Sequence, residues 1–149
     1  MGVTVIQNTV LIERSPEEVF DYLSDPRGEL QWNPQVQIME KLTDGPIGVG
    51  TKFRAKWTKS KVLTMECTRF ERPTAWTYLN DGPVVVDLRA TLTPEAGGTR
   101  LRTEFDASPR GAFRLIFPIF LRMMRKEEAS NMQLIKKAVE ALPASGRSE

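Results

Sequence analysis

At Ser108-Pro109 the chain changes texture: before it come short segments of alternating apolar and polar residues, and after it, from Ala112 to Leu142, one long helical pattern. A chain with its strands first and a single long helix last buries both most simply by laying the helix against one face of the sheet. Leu121, Met124, Glu128, Met132, Ile135, Val139 and Leu142 recur at spacings of three or four, which is the stripe of a helix on a core, and only Pro118 interrupts the pattern. Glu128 is the one charged member of that stripe. With Phe117, Met124 and Met132 beside it, the stripe suits the wall of a cavity as well as a solid core, because methionine adapts to irregular shapes.

The preceding segments supply the sheet. A first strand is predicted from Val3 to Ile12, with Ile6, Val10 and Ile12 on one parity and Val3, Val5 and Leu11 on the other. Ser15-Pro16-Glu17-Glu18 then starts a helix, with Ser15 as N-cap, Pro16 in the first helical position and Glu18 closing a capping box. Asp25-Pro26 stops it, and a second short helix through Leu30 to Trp32 ends at Asn33-Pro34. Turn signals then divide the chain into six strands: Val36 to Leu42, Thr51 to Thr58, Lys61 to Phe70, Ala75 to Asn80, Val84 to Thr93 and Thr99 to Ala107. Their alternation leaves one side wet. Phe53, Ala55 and Trp57 oppose Lys52, Arg54 and Lys56; Leu63, Met65, Cys67, Trp76 and Tyr78 face inward, as do Val86, Leu88, Ala90, Leu92, Leu101, Thr103 and Phe105. The fold class is therefore α+β, a seven-stranded antiparallel sheet curled around a long C-terminal helix, with two short helices plugging one end.

A length of 149 residues without repeats or linkers fits a single domain, with an ordered core from about residue 3 to 142 and a tail over 143–149. No stretch approaches the roughly 20 apolar residues of a membrane-spanning helix. The N-terminus lacks the plan of a signal peptide, and one cysteine cannot form an internal disulfide, so a cytoplasmic location is expected. The net charge of +2 is too small to argue for nucleic acid as a partner. Two local concentrations of positive charge stand out: Lys52, Arg54, Lys56, Lys59 and Lys61 around one hairpin, and Arg110, Arg114, Arg122, Arg125 and Lys126 along the start of the last helix. They read as solvated faces or as a basic rim open to an anionic ligand or to transient contact with a lipid surface.

The order of one strand, two short helices, six strands and a long helix resembles the START-like, birch-pollen-allergen-like superfamily (SRPBCC), and within it the bacterial polyketide cyclase/dehydrase and lipid-transport group. The resemblance runs from about Val3 to Leu142. It is carried by Ser15-Pro16-Glu17-Glu18-Val19-Phe20 with Leu23 and Asp25, by Trp32-Asn33-Pro34, by Gly48-Val49-Gly50-Thr51, by Phe70-Glu71-Arg72-Pro73 and by Gly97-Gly98-Thr99-Arg100-Leu101. The resemblance implies a helix-grip fold whose hydrophobic cavity, between sheet and long helix, holds lipids, polyketides or other apolar small molecules. Members bind or carry such molecules, cyclise or dehydrate polyketide chains, or act on partner proteins, and fold alone does not choose among these.

The chain contains no histidine, which excludes His-based acid-base catalysis, Ser-His and Cys-His nucleophile systems and His-containing metal sites. No metal and no cofactor are expected, and Gly48-Val49-Gly50 runs into a strand, so it is a turn and not a phosphate loop. Cys67 reads as a buried small hydrophobe. Asn8 shares the inward parity, where a satisfied structural hydrogen bond is its expected role. Trp32 reads as a plug for the small helices. The candidate ligand contacts are Trp57, Met65, Trp76, Tyr78, Leu88 and Phe105 from the sheet and Phe117, Leu121, Met124, Glu128 and Met132 from the helix.

Glu128 and Tyr78 are the candidates for proton transfer, should a reaction occur there. If Glu128 points inward, Tyr78, Trp57 or Trp76 can supply its hydrogen bond; otherwise it lies at the solvent edge beside Arg125. The Phe113 to Phe120 segment around Pro118 is either ordinary packing or a portal. The leading expectation is a carrier or sensor of a hydrophobic small molecule, followed by a cyclase- or dehydratase-like enzyme and then by a protein-interaction module with a basic hairpin.

Overall fold

Local signals and strand pairing together build the frame in which the site sits. The structure is a computed structural model and describes residues 4–143. Its elements run β1 (Thr4–Ile12), α1 (Pro16–Leu23), a 3-10 turn (Pro26–Gly28), α2 (Glu29–Trp32), β2 (Val36–Lys41), β3 (Lys52–Trp57), β4 (Leu63–Glu71), β5 (Ala75–Asn80), β6 (Val84–Glu95), β7 (Gly98–Pro109) and α3 (Phe113–Glu140). The seven strands form one sheet in the order β1-β7-β6-β5-β4-β3-β2, with every neighbouring pair antiparallel. β2 to β7 form a meander, and α1 and α2 carry the chain from β1 at one edge to β2 at the other. This is the helix-grip arrangement.

α1 forms where its capping residues require it. The Ser15 side chain accepts from the Glu18 N–H at 3.2 Å, and the Glu18 carboxylate accepts from the Ser15 N–H at 3.2 Å. The helix buries Val19 and Phe20; the Phe20 ring meets Phe70 and Trp76 edge-on, with centroids 5.1 and 5.3 Å away. A bidentate pair between Arg72 and Asp21, at 2.7 and 2.9 Å, fixes α1 to the β4–β5 turn and holds the Asp21 carboxyl below its ordinary range.

Register irregularities between Val36 and Ile38 and between Cys67 and Arg69 interrupt the pairing of β2 with β3 and of β4 with β5, as bulges that bend a sheet do. At the β6–β7 turn, Gly97 takes φ +90°, and a Cβ on Gly98 would stand 2.1 Å from the Ile12 carbonyl oxygen. Only glycine allows β7 to start so close to the end of β1.

The long helix is seated by its second half. Asn131, Met132, Ile135 and Val139 are its buried residues. Hydrogen bonds fasten this half to the end of β1: the Lys136 ammonium donates to the Leu11 carbonyl at 2.9 Å, the Glu13 N–H to the Glu140 carboxylate at 2.8 Å and the Arg14 guanidinium to the Glu140 carbonyl at 2.6 Å. The first half buries no residue, although the helix continues unbroken through Pro118. It overhangs the sheet rather than packing on it.

Boundaries move where pairing outlasts the sequence signal. β7 extends to Pro109 because Ser108 and Pro109 lie opposite Val85 and Val84, and β4 begins at Leu63, with Lys61 left in the turn. Val3 and all of the expected tail except Pro143 lie outside the described residues. No helix among the described residues is long and apolar enough to cross a membrane.

Candidate functional site

The overhang of α3 leaves a cavity of about 650 Å³ between it and the inner face of the sheet. The sheet supplies Met65, Trp76, Tyr78, Leu88, Ala90 and Phe105, and α3 supplies Phe113, Phe120, Met123, Met124 and Met132. Such walls bind by burial of apolar surface, and the volume lies in the ordinary range of small-molecule sites.

A polar pole interrupts these walls where α2 faces α3. Glu29 comes from α2 and Glu128 from α3, and both line the cavity. Asn33, the C-cap of α2, hydrogen-bonds the Glu29 side chain while its side-chain Oδ1 accepts from the Gln35 N–H at 3.0 Å. Asn131 does the same for Glu128 from one turn further along α3. The support is incomplete, since Glu29 Oε1 is buried and meets no donor among the described residues. Burial, then the neighbouring Glu128 charge, push the Glu29 carboxyl up to about 8 against the pull of Asn33. Burial likewise pushes Glu128 up to about 7, with Glu127 adding to the rise and Asn131 opposing it. Near neutral pH the cavity therefore holds one carboxyl mostly in its acid form and a second poised between acid and carboxylate.

A family model described as polyketide cyclase / dehydrase and lipid transport matches residues 3–140 of the chain. The chain belongs to the polyketide cyclase/dehydrase and lipid transport family. No curated protein matches it. Among solved structures, the TTHA0849 protein of Thermus thermophilus is 16% identical with a TM-score of 0.77, over 93% of this chain and 98% of that one. The Zhui aromatase/cyclase of a Streptomyces species is 16% identical with a TM-score of 0.75, over 99% and 100%. The protein Ara h 8.0201 is 18% identical with a TM-score of 0.67, over 93% and 96%. At such identities the likeness speaks for the shared fold alone.

In this member of the polyketide cyclase/dehydrase and lipid transport family, the cavity gathers Trp57, Met65, Trp76, Tyr78, Leu88 and Phe105 of the sheet-borne candidates. Of the helix-borne candidates it gathers Met124, Glu128 and Met132. Phe117 and Leu121 are not part of the lining. Their place is taken by Phe113, Phe120 and Met123, so the lining stripe is rotated about the helix axis, and Phe117 stacks on Phe120 at a centroid distance of 6.3 Å. Glu128 faces the cavity and not the solvent edge beside Arg125, and Asn131, rather than Tyr78, Trp57 or Trp76, supplies its hydrogen bond.

Tyr78 is engaged elsewhere. Its hydroxyl donates to the Ser24 carbonyl at 2.8 Å, and burial raises its pKa further, so it anchors the α1 end of the plug and is a poor proton mover. Trp32 lines the cavity besides plugging it, and Asn8 Nδ2, expected to make a structural hydrogen bond, is buried with no partner among the described residues. Cys67 is fully buried, donates to the Arg69 carbonyl at 3.3 Å and has its pKa raised first by that burial, which keeps it a thiol. On the outer face, Arg54 pairs with Glu40 and Lys56 donates to Gln37 at 2.9 Å, so part of the basic hairpin is already engaged.

Glu29 is the functional candidate that sequence reasoning missed. It sits on a four-residue helix, too short for periodicity to assign a face. The available signal was its place one turn before Asn33, beside Trp32, on a plug that must face the helix bearing Glu128.

Proposed function

We propose that the protein binds an apolar small molecule carrying one polar end, as a carrier or sensor, with the apolar body against Trp76, Leu88, Phe105 and Met132 and the polar end at Glu29 and Glu128. The observation that carries this reading is the union of a mainly apolar cavity of about 650 Å³ with a pair of carboxyls where α2 faces α3, one of whose oxygens lacks a donor among the described residues. Apolar burial supplies affinity and the pole supplies orientation. Family membership supports a hydrophobic ligand of the lipid or polyketide kind.

Native mass spectrometry after exposure to a cellular lipid and metabolite extract tests it. A discrete adduct is expected on the wild type and a much weaker one on Leu88→Trp, which projects an indole ring into the space the apolar body would occupy. Absence of any adduct from a folded wild type, or equal adducts on both proteins, sinks the proposal.

One observation favours a second reading, a cyclase- or dehydrase-like enzyme. Two neighbouring carboxyls with different proton affinities are the equipment of acid-base chemistry. Glu128→Gln separates the two: turnover of a polyketide chain would be abolished, whereas a carrier would only change its affinity.

A further inference from the structure

Leu115 and Ile119 on α3 are 85% and 69% exposed, and Ile116 beside them is 49% exposed. Leu115 and Ile119 lie on the side of the helix turned away from the cavity, since Phe113, Phe120 and Met124 line it from the opposite side, and Ile116 falls at the edge between the two. Leu115, Ile119, Arg122 and Lys126 follow at spacings of four, three and four, so two apolar and two cationic side chains form one strip. Between Arg110 and Lys126 the chain carries five cations, completed by Arg114 and Arg125, and no carboxylate. None of the five forms an ion pair among the described residues. The β3–β4 turn meets this end of the helix from the cavity side, where the Lys59 ammonium lies 3.7 Å from Met123 Sδ, so it leaves the outer strip uncovered.

We propose that this face seats the protein on an anionic lipid bilayer, with Leu115, Ile116 and Ile119 entering the headgroup region and the surrounding arginines and lysines on lipid phosphates. Apolar residues protruding from an amphipathic helix amid unpaired cations match both layers of such a surface, its acyl boundary and its negative charge. A second copy fits worse, because a two-fold contact would set the same five cations against each other. An acidic protein answers the cations but needs a receptor for three protruding aliphatic side chains. The opposite side of this half of α3 is the cavity wall, so docking brings the wall to the membrane. The proposal rests on this outer surface alone and stands whatever the cavity holds.

Co-sedimentation with vesicles tests it, using phosphatidylcholine alone and phosphatidylcholine mixed with phosphatidylglycerol, at low and high salt. Binding is expected to the mixed vesicles, weakly or not at all to phosphatidylcholine, and to fall as salt rises. The double variant Leu115→Ser and Ile119→Ser should lose about tenfold or more. Arg114→Gln and Arg122→Gln should each lose about fivefold. All four positions are exposed, and circular dichroism verifies that the variants fold. Three results overturn the proposal: no binding to the mixed vesicles by the monomer, which points to an acidic protein instead; a solution dimer, by light scattering, that the double variant dissociates; or vesicle binding that the double and the charge variants all retain.

Discussion

Burying a carboxyl among too few donors shifts its equilibrium toward the neutral acid, and at Glu29 and Glu128 this sets how the folded state responds to pH. Both start from an ordinary value of 4.5 and are raised to about 8 and about 7 in the folded protein. Between those limits the folded state holds more protons than the unfolded chain, so stability falls as pH rises from about 4.5 through 8. This is opposite in sign to a paired carboxylate such as Asp21, whose contribution is lost as pH falls. Glu29→Gln keeps the shape and removes the titration. Melting temperatures at pH 5 and pH 9 should therefore fall less in the variant than in the wild type, recovering on the order of 1 to 3 kcal/mol at the higher pH. An equal fall in both proteins would show that Glu29 ionises normally. Tyr78 carries a different kind of role. Tyr78→Phe removes the donor to the Ser24 carbonyl and leaves that oxygen unpaired, which should cost about 1 to 3 kcal/mol in urea unfolding with an unchanged m-value. A change below a few tenths would mean that water replaces the hydroxyl.

Elements were legible wherever the signal was local. The capping box at Ser15 and Glu18, the stop at Asp25-Pro26 and the break at Asn33-Pro34 depend on neighbours within four residues, and the structure keeps each of them. The face of α3 was less legible for a physical reason. From Phe113 to Leu121 apolar residues occur all around the helix, so periodicity could not decide whether Phe117 and Leu121 or Phe113 and Phe120 face inward; the overhang beyond the sheet decides it. Gly98 shows the converse, a residue recognised as part of a turn whose strict requirement comes from a strand far away in sequence. A Cβ there meets the Ile12 carbonyl at 2.1 Å, which is backbone and cannot swing aside. Gly98→Ala should therefore destabilise the protein by about 2 kcal/mol or more in thermal unfolding. Ala at Gly97, where nothing lies within 4 Å, meets only the unfavourable φ of +90° and should be milder. If the two substitutions prove equal, the β1–β7 junction is looser than the geometry requires.

At the scale of the molecule, alternation along the strands gave the inward set from Phe53 to Phe105 because a one-residue slip would turn every one of those side chains to water. It could not give the volume they enclose, which depends on how far the sheet bends and on how little of α3 rests on it. A protein that leaves about 650 Å³ open forgoes packing contacts that a filled core would make, so the empty state is less stable than its chain length allows. Occupancy returns that stability: a ligand at a hundred times its Kd adds about 2.7 kcal/mol. Ala90 is buried on the cavity floor, opposite Trp76 on β5 and Thr103 on β7. Ala90→Phe places a ring in the open space. It should raise or preserve the melting temperature of the unliganded protein and remove the further rise produced by a neutral apolar probe such as Nile red. A probe-induced rise that survives in Ala90→Phe would put the dye elsewhere, most directly on the exposed strip of Leu115 and Ile119, and the double serine variant at those positions then distinguishes the cavity from the surface.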